Sequence, residues 1–221
     1  MSNNIIFKEI ELIDFKECWD YQEELFNRIL NLKLNNQPTP NYFILCEHPH
    51  VYTLGKSGDR NNLLINDDFL KRINAHYYKI NRGGDITYHG PGQLVGYPII
   101  DLENFNLSIK KYIENLEEVI INVLKNYNIH GERMQGATGV WLDTQSPNKA
   151  RKICAIGVRA SRSITMHGFA FNINTDLNYF NYINPCGFTD KSVTSMEKEL
   201  GEKIEIPEII HFVQKEFLSV F

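Results

Sequence analysis

Residues 81–97 read NRGGDITYHGPGQLVGY, with five glycines, a proline, an arginine and a histidine. Apolar runs at residues 75–80 and 94–100 flank this glycine-rich stretch and predict two strands joined by it. Glycine lacks a Cβ, so such a connection bends sharply and lets a ligand approach the backbone. Arg82 and His89 supply hydrogen-bond donors around that opening. The alternative is a long glycine-rich hairpin without chemistry, although functional residues concentrate on loops of this kind.

The composition of the 221 residues is that of an ordinary globular protein, with 43% apolar residues and a net charge of −4. This charge gives no electrostatic footprint for nucleic acid, and no window approaches a transmembrane helix in length. The first residues lack the features of a secretory or transit peptide. Cysteines at positions 18, 46, 154 and 186 have no paired spacing, which is typical of reduced thiols. We therefore predict one cytoplasmic domain over residues 1–221, with no nucleic acid or membrane partner.

Capping residues and apolar periodicity predict the main elements. Helices are expected after Asp14, Asn66 and Ser108, the last with an apolar core-facing stripe that starts at Ile109, and also over residues 193–200 and 207–220. Strands are expected over residues 5–13, 42–46, 140–143, 152–160 and 163–173. Pro98 predicts a sheet edge or an irregularity. Strands and helices mix without strict βαβ alternation, which predicts an α/β (α+β) fold with a mixed sheet flanked by helices.

Two local patterns resemble ligand sites and are set aside. Cys46, His48 and His50 alternate along a chain as metal ligands on one strand face do, but Pro49 interrupts the strand and no fourth ligand is evident. Residues 55–57 resemble the end of a phosphate-binding loop, but His50 stands where the first glycine of that motif belongs. Neither a metal nor a nucleotide is predicted.

Cys186 differs from the other cysteines because Pro185 and Gly187 flank it, which indicates a turn. Cys46 and Cys154 lie in apolar runs, as buried thiols do. A cysteine nucleophile needs a histidine or a cation beside it. Lys152 opens an apolar strand and is a candidate cation, although a lysine at a strand end usually faces solvent. From the residues alone, Cys186 is either a nucleophile or a structural thiol.

The glycine-rich stretch resembles the signature of the octanoyltransferases of lipoate biosynthesis, which is Arg-Gly-Gly, then Thr-x-His-Gly-Pro-Gly-Gln and a tyrosine. Arg82 to Tyr97 fit this pattern. Further matches lie at residues 47–49, 52–55, 151–159, 167–172 and 185–187. The resemblance covers residues 47–197. Cys154 stands where a smaller residue is more usual and so adds an alternative thiol near the site, and His50 stands where a second proline is frequent.

The resemblance implies the fold of biotin and lipoate protein ligases and a cysteine acyl-enzyme. Cys186 would take the octanoyl group from octanoyl-acyl carrier protein, whose phosphopantetheine already activates it. Lys152 would lower the pKa of Cys186 and act as general acid and base. The acceptor would be a lysine amine of lipoyl domains, in 2-oxo acid dehydrogenase E2 subunits and glycine cleavage H protein. No ATP, metal or other cofactor would be needed.

The resemblance also implies the substrate-binding residues. Residues 47–49 and 52–55 would form part of the active-site wall. Direct contacts would come from Arg82, Gly83, Gly84, Asp85, Ile86, Thr87, Tyr88, His89, Ala155, Ile156, Gly157, Gly168, Phe169 and Ala170. Small side chains in this set leave room for a narrow apolar tunnel, and glycine amides could face an oxyanion.

Two other classes of function remain alternatives. An ATP-dependent lipoate or biotin protein ligase would share the fold but need no cysteine nucleophile. A non-catalytic binding protein for acyl carriers or lipoyl domains would need neither thiol nor base. The presence of both Cys186 and Lys152 argues against each of them.

Overall fold

A computed structural model describes residues 4–146, 148–184 and 192–221. The predicted nucleophile Cys186 lies outside the described residues. The strands are β1 (Ile5–Leu12), β2 (Asn41–Glu47), β3 (Val51–Leu54), β4 (His76–Lys79), β5 (Ile86–His89), β6 (Gln93–Ile99), β7 (Glu132–Met134), β8 (Ala137–Leu142), β9 (Arg151–Ser161), β10 (Ile164–Asn172) and β11 (Ser192–Val193). The helices are α1 (Phe15–Leu34), α2 (Asp67–Arg72), α3 (Ile109–Lys125), α4 (Met196–Leu200) and α5 (Ile206–Val220).

An eight-stranded mixed sheet forms the centre, in the order β1-β2-β6-β10-β9-β8-β7, with β11 beside β9. The β1–β2 and β9–β11 pairs are parallel, and the other pairs are antiparallel. Side chains alternate across this sheet with the period of two that strands impose. Phe43 and Leu45 of β2 pack with α3 and α5, whereas Tyr42, Ile44 and Cys46 pack with α1. Helices on both faces of a mixed sheet confirm the predicted fold class.

A second sheet of three strands, in the order β4-β3-β5, contains residues 86–89 of the glycine-rich stretch. The predicted strands at residues 75–80 and 94–100 are confirmed as β4 and β6, but the prediction that a single loop joins them is wrong. The two strands lie in different sheets, and β5 forms between them. The reason is that Ile86 and Tyr88 are apolar at alternate positions and both are buried. Four residues are enough to pair with β3 in antiparallel register.

Pro98 lies in β6, between β2 and β10, so the predicted sheet edge is wrong and the predicted irregularity is confirmed. The β6–β10 ladder stops at Gly96. Beyond it, His167 takes a left-handed φ of 61°, and its N–H donates to the Gln22 side chain of α1 at 3.2 Å. The Thr165 hydroxyl donates to the Pro98 carbonyl at 2.8 Å. Side chains thus satisfy the Pro98 carbonyl and the His167 N–H beyond the end of the ladder.

Several boundaries differ from the sequence predictions. The predicted helix over residues 193–200 starts as β11, and α4 begins only after Ser195, whose hydroxyl accepts from Lys198 N. Ile109 is 42% exposed instead of lying in the core, because it is the first residue of α3. The predicted pair of strands around residues 160–162 is confirmed as the β9–β10 hairpin. Among the described residues, every helix is too short or too polar to cross a bilayer.

Candidate active site

A cavity of about 530 Å³ lies among β5, β6, β9, β10 and the start of α1. Its walls include Lys152 and nearly all of the residues that the resemblance assigns to substrate. These are Arg82, Gly83, Gly84, Asp85, Ile86, Thr87, His89, Ala155, Ile156, Gly157, Gly168, Phe169 and Ala170. The exception is Tyr88, which is fully buried and stacks on Tyr179 with ring centroids 4.9 Å apart. This placement does not support a substrate contact by the Tyr88 side chain, because its ring packs against Tyr52 and Tyr179 and does not line the cavity.

The glycine-rich stretch reaches across the cavity to the large sheet. Gly83 N–H donates to the Val158 carbonyl of β9 at 2.9 Å. A Cβ on Gly157 would lie 3.0 Å from the Gly83 carbonyl oxygen, so this approach depends on a glycine in β9. At the other end of the stretch, Gly92 has a φ of 81° and donates to the Glu47 carboxylate at 2.6 Å.

Arg82 is buried and braces the turn that precedes β5. Its Nη2 donates to the Thr53 carbonyl at 2.7 Å and to the Thr53 hydroxyl at 3.0 Å, and its Nη1 donates to the Gly83 carbonyl at 3.0 Å. A buried guanidinium needs such partners to offset its desolvation. Within residues 47–49 and 52–55, Glu47 therefore holds Gly92 and Thr53 holds Arg82. The described residues that line the cavity do not include them, contrary to the wall that the resemblance implies.

His89 and His167 are buried at the cavity wall and neutral. His89 Nδ1 donates to Gln93 Oε1 at 2.8 Å, since the Gln93 amide nitrogen donates to Asn172 Oδ1 at 2.9 Å. His167 Nε2 lies 2.8 Å from Asn81 Oδ1. Burial, with a smaller contribution from the nearby Arg82 charge, lowers the pKa of each histidine to about 3.

Lys152 occupies a different part of the cavity and lies against both backbone and an aromatic ring. Its Nζ donates to the Thr138 carbonyl at 3.1 Å and lies 4.6 Å from the Trp141 ring centroid. The same peptide group is held from its other side, because Gly139 N–H donates to the Glu117 carboxylate at 2.9 Å. Glu117 is only 7% exposed, and Arg133 Nε donates to it at 3.1 Å. The Lys152 ammonium and the Glu117 carboxylate thus bind the carbonyl and the N–H of the same peptide group.

Strand β9, which contains Lys152, pairs with β11, which follows Cys186 in the sequence. Ser192 and Val193 of β11 pair with Arg151 and Lys152 of β9. Arg151 donates to both carboxylate oxygens of Glu199 at 2.7 and 2.6 Å, which joins β9 to the end of α4. The residues that return from the predicted nucleophile are therefore fixed beside the predicted base.

The alternative thiol Cys154 lies in the core. Its side chain is 0% exposed and donates to the Ala155 carbonyl at 3.6 Å. Burial raises the pKa of this thiol far above its ordinary value. A neutral, enclosed thiol is a poor nucleophile, so Cys154 is not a competitor for the chemistry.

Of Cys46, His48 and His50, the pattern set aside as a metal site, His50 lies apart from the other two. His50 stacks on Tyr179 with ring centroids 4.1 Å apart and accepts or donates a hydrogen bond with the Tyr88 hydroxyl at 2.8 Å. Cys46 and His48 meet Cys18 of α1 instead. The turn at Pro49 explains the difference, because it ends the alternation that β2 would have continued.

Several polar residues of the site were given no catalytic or direct substrate-binding role from the sequence: Thr53, Gln93, Glu117, Thr138 and Asn172. Most of them are buried, and each bonds to a cavity residue or to its neighbour. The available signal was a polar residue at an apolar position. Glu117, for example, follows Leu116 on the core-facing stripe of α3.

The sequence profile of the lipoyl protein ligase A/B catalytic domain matches residues 14–218 of the chain. This match spans most of the sequence, including every element that lines the cavity. The chain therefore belongs to the lipoyl protein ligase A/B catalytic domain family.

Within this family the chain is similar to octanoyltransferases. The octanoyltransferase of Christiangramia forsetii is 54% identical over 100% of this chain and 97% of its own length. That of Flavobacterium psychrophilum is 55% identical over 100% of this chain and 98% of its own length.

Solved structures support the fold at much lower identity. A bipartite lipoate protein ligase of Thermoplasma acidophilum aligns with a TM-score of 0.70 at 12% identity, over 98% of this chain and 84% of that one. A biotin protein ligase of Aquifex aeolicus aligns with a TM-score of 0.53 at 12% identity, over 99% and 70% of the two chains. These likenesses establish the shared fold alone.

Proposed function

We propose that the protein is an octanoyltransferase that moves an octanoyl group from an acyl carrier protein to a lysine amine of lipoyl domains. The observation that carries the proposal is the full-length identity of 54–55% to octanoyltransferases together with a lysine in the wall of a largely apolar cavity. The ligases of the same fold are only 12% identical. The alternative of an ATP-dependent ligase is therefore the weaker one.

In the proposed first step the Cys186 thiolate attacks the carbonyl carbon of the donor thioester. The carbon–sulfur bond to phosphopantetheine breaks, and the leaving thiolate takes a proton from the Lys152 ammonium. Before this transfer the ammonium charge favours the Cys186 thiolate. The pairing of Ser192 and Val193 with Arg151 and Lys152 supports this assignment, because it brings the chain back to Lys152 six residues after Cys186.

In the proposed second step the acceptor lysine amine attacks the octanoyl-cysteine. An amide bond forms, the Cys186 thiolate leaves, and the neutral Lys152 amine takes the proton that the acceptor nitrogen loses. Protons and charges balance over the two steps, and Lys152 returns to its ammonium form. One thioester is exchanged for another before the amide forms, so neither ATP nor a metal is used in the reaction. Acyl carrier protein and lipoyl domains are the proposed partners, and a cytoplasmic location stays a prediction.

The cavity suits the acyl chain of this reaction. Phe15, Ile80, Ile86, Val95, Ile156 and Phe169 give it apolar walls. Ala155, Gly157, Gly168 and Ala170 are small, so β9 and β10 leave space above them. Burial of an octanoyl chain against these walls contributes about 0.8 kcal/mol for each CH₂ group removed from water.

The experiment that tests the proposal mixes the purified protein with octanoyl-acyl carrier protein and follows its intact mass. We expect one octanoyl adduct, mapped by peptide analysis to Cys186, which transfers to an apo lipoyl domain without ATP and in the presence of a chelator. The Cys186→Ser variant should lose both the adduct and the transfer. An adduct at Cys154, or a strict need for ATP with free octanoate, would contradict the proposal.

A further inference from the structure

Cys18, Cys46 and His48 form a compact cluster on the α1 side of the large sheet, which we call the thiol–imidazole cluster. The sulfur of Cys18, the sulfur of Cys46 and a ring nitrogen of His48 all lie within 4.8 Å of one another. The three side chains are 0%, 1% and 0% exposed. Cys18 comes from α1, Cys46 from β2 and His48 from the chain just after β2, so the cluster joins a helix to the central sheet.

The hydrogen bonds of His48 fix which ring nitrogen can act as a ligand. Nδ1 lies 2.8 Å from the Ile13 carbonyl oxygen, which can only accept, so Nδ1 carries the hydrogen. The lone pair is therefore on Nε2, which lies 3.7 Å from the Cys46 sulfur. Histidine ligands of metals are commonly oriented in this way, with the other ring N–H donated to a backbone carbonyl.

The spacing of the cluster suits tetrahedral coordination. Zinc binds thiolate sulfur at about 2.3 Å and imidazole nitrogen at about 2.0 Å, which places two such ligands roughly 3.5 Å apart. The sulfur of Cys46 and Nε2 of His48 are 3.7 Å apart without any rearrangement. Gln22 Nε2 donates to the Cys18 sulfur at 3.9 Å and holds this side chain from the next helical turn.

The charge of the cluster selects the class of ion. Two thiolates and a neutral imidazole balance one divalent cation, so a buried complex of this kind carries no net charge. Copper(I) with the same ligands would leave a negative charge in the interior. Magnesium and calcium prefer oxygen ligands over sulfur.

We propose that Cys18, Cys46 and His48 bind one zinc ion, which holds α1 against β2 and takes no part in acyl transfer. Binding forms two zinc–sulfur bonds and one zinc–nitrogen bond and releases two thiol protons to solvent, with no change of oxidation state. The Tyr97 hydroxyl, which now donates to His48 Nε2 at 2.8 Å, gives up that bond and stands beside the fourth coordination position. Tyr97 also lines the cavity, so a single side chain separates the cluster from the substrate site.

The test uses the full chain, reduced and stripped of metal, titrated anaerobically with zinc against a chromophoric chelator. We expect one zinc per wild-type chain and a higher thermal midpoint in its presence. Cys18→Ser and Cys46→Ser should each weaken binding by more than about 100-fold, since loss of a mere supporting contact already costs 10- to 100-fold. Cys154→Ser is the matched control, a buried cysteine of the same sheet outside the cluster, and should keep the affinity.

Cobalt(II) is the second probe and needs only the wild-type protein, which covers the case of serine variants that do not fold. We expect a thiolate-to-cobalt charge-transfer band, and X-ray absorption of the zinc form should fit two sulfur ligands. Absence of zinc binding by the folded, reduced wild type would overturn the proposal. So would a first shell without sulfur, a Cys18–Cys46 disulfide formed in place of the complex, or zinc that survives both serine substitutions and is lost only in Cys186→Ser.

Discussion

His89 and His167 at one part of the cavity wall are enclosed and neutral, whereas Lys152 at another lies on a backbone carbonyl and an aromatic ring. Each histidine bonds to a fixed neighbour, His89 to Gln93 and His167 to Asn81, and burial holds their pKa values near 3. The lysine lies one peptide unit away from the Glu117 carboxylate. A histidine in a glycine-rich signature is therefore not automatically the general base of the reaction. Here it organises the wall, and the proposed proton carrier is the lysine.

The largest effect on acyl transfer is expected from substitution of Lys152. Lys152→Arg keeps a positive charge but cannot lose a proton near neutral pH, so it separates the two proposed roles. We expect the variant to form some octanoyl-Cys186 but to pass it to the acceptor about 10²–10⁴-fold more slowly. Single-turnover measurements of adduct formation and decay give the two rates.

Lys152→Ala is the companion variant, because it removes the charge as well. It should raise the pKa of Cys186 and slow its alkylation by iodoacetamide near neutral pH. An equal and mild loss in both steps of Lys152→Arg would show that the lysine supplies only charge. The base would then have to be sought elsewhere.

The second effect is acid sensitivity of the fold, caused by the neutral histidines. In the unfolded chain each histidine has an ordinary pKa of about 6.5, whereas in the folded state its pKa is near 3. Between these two pH values the histidine is protonated only when the chain is unfolded. The unfolded state therefore binds more protons below pH ~6.5, and each such histidine removes about 1.4 kcal/mol of stability per pH unit as the pH falls from there toward ~3. Above pH ~6.5 this contribution is constant.

Urea unfolding midpoints across that pH range measure the slope. His167→Asn is a suitable variant, since asparagine tolerates the left-handed φ of 61° at this position and does not titrate. We expect the variant to unfold with a shallower pH dependence than the wild type. An unchanged slope would mean that His167 titrates in the folded state as it does in solution.

A third, smaller effect is expected from His89→Asn. The substitution removes a buried hydrogen bond to Gln93 and should cost about 1–3 kcal/mol of folding free energy. It should leave the pH dependence of octanoyl-enzyme breakdown unchanged, because Lys152 is the proposed base. A shift of that pH profile, as opposed to a uniform loss of rate, would assign proton transfer to His89 and contradict the proposed role of Lys152 as the base.

The smallest effect is expected from Glu117→Gln. The amide can still accept from Gly139 N–H, but the negative charge behind the Lys152 peptide contact is lost. We expect Cys186 alkylation to move to lower pH by less than about one unit, because the variant removes a negative charge that disfavours the thiolate, and one pKa unit corresponds to about 1.4 kcal/mol. Glu118→Gln is the matched control, because Glu118 also pairs with Arg133, at 2.7 Å, and no described hydrogen bond joins it to Gly139. Equal shifts in both variants would assign the effect to general surface charge.

Much of the fold was accessible from local sequence patterns. The caps of α1, α2 and α3 and the β9–β10 hairpin follow from short-range signals and were predicted. The pairing of strands was not, because it depends on contacts between residues far apart in the chain. β5 was missed since its four residues lie among glycines, and they become a strand only when β3 supplies the hydrogen bonds.

The candidate site divides in the same way. The lysine and the small cavity residues were found by their resemblance to a known motif, which preserves local order. Glu117 and Cys18 lie on helices, distant in sequence from the residues that they contact. Nothing in their own neighbourhoods distinguishes them beyond a polar or thiol side chain on an apolar face. Only the three-dimensional arrangement brings them to Gly139 and Cys46.

The central position of β6 and β10 in the large sheet has a consequence for how the chain folds. The bond between Gln93 and Asn172 joins residues separated by 79 positions, and β2 must reach across a comparable distance to β6. Closing such loops costs chain entropy before the sheet gains any stability from them. Chains dominated by long-range pairing fold in roughly milliseconds to seconds, far more slowly than helical bundles. We expect the β9–β10 hairpin and α3, whose hydrogen bonds are local, to form before the strands that complete the cavity.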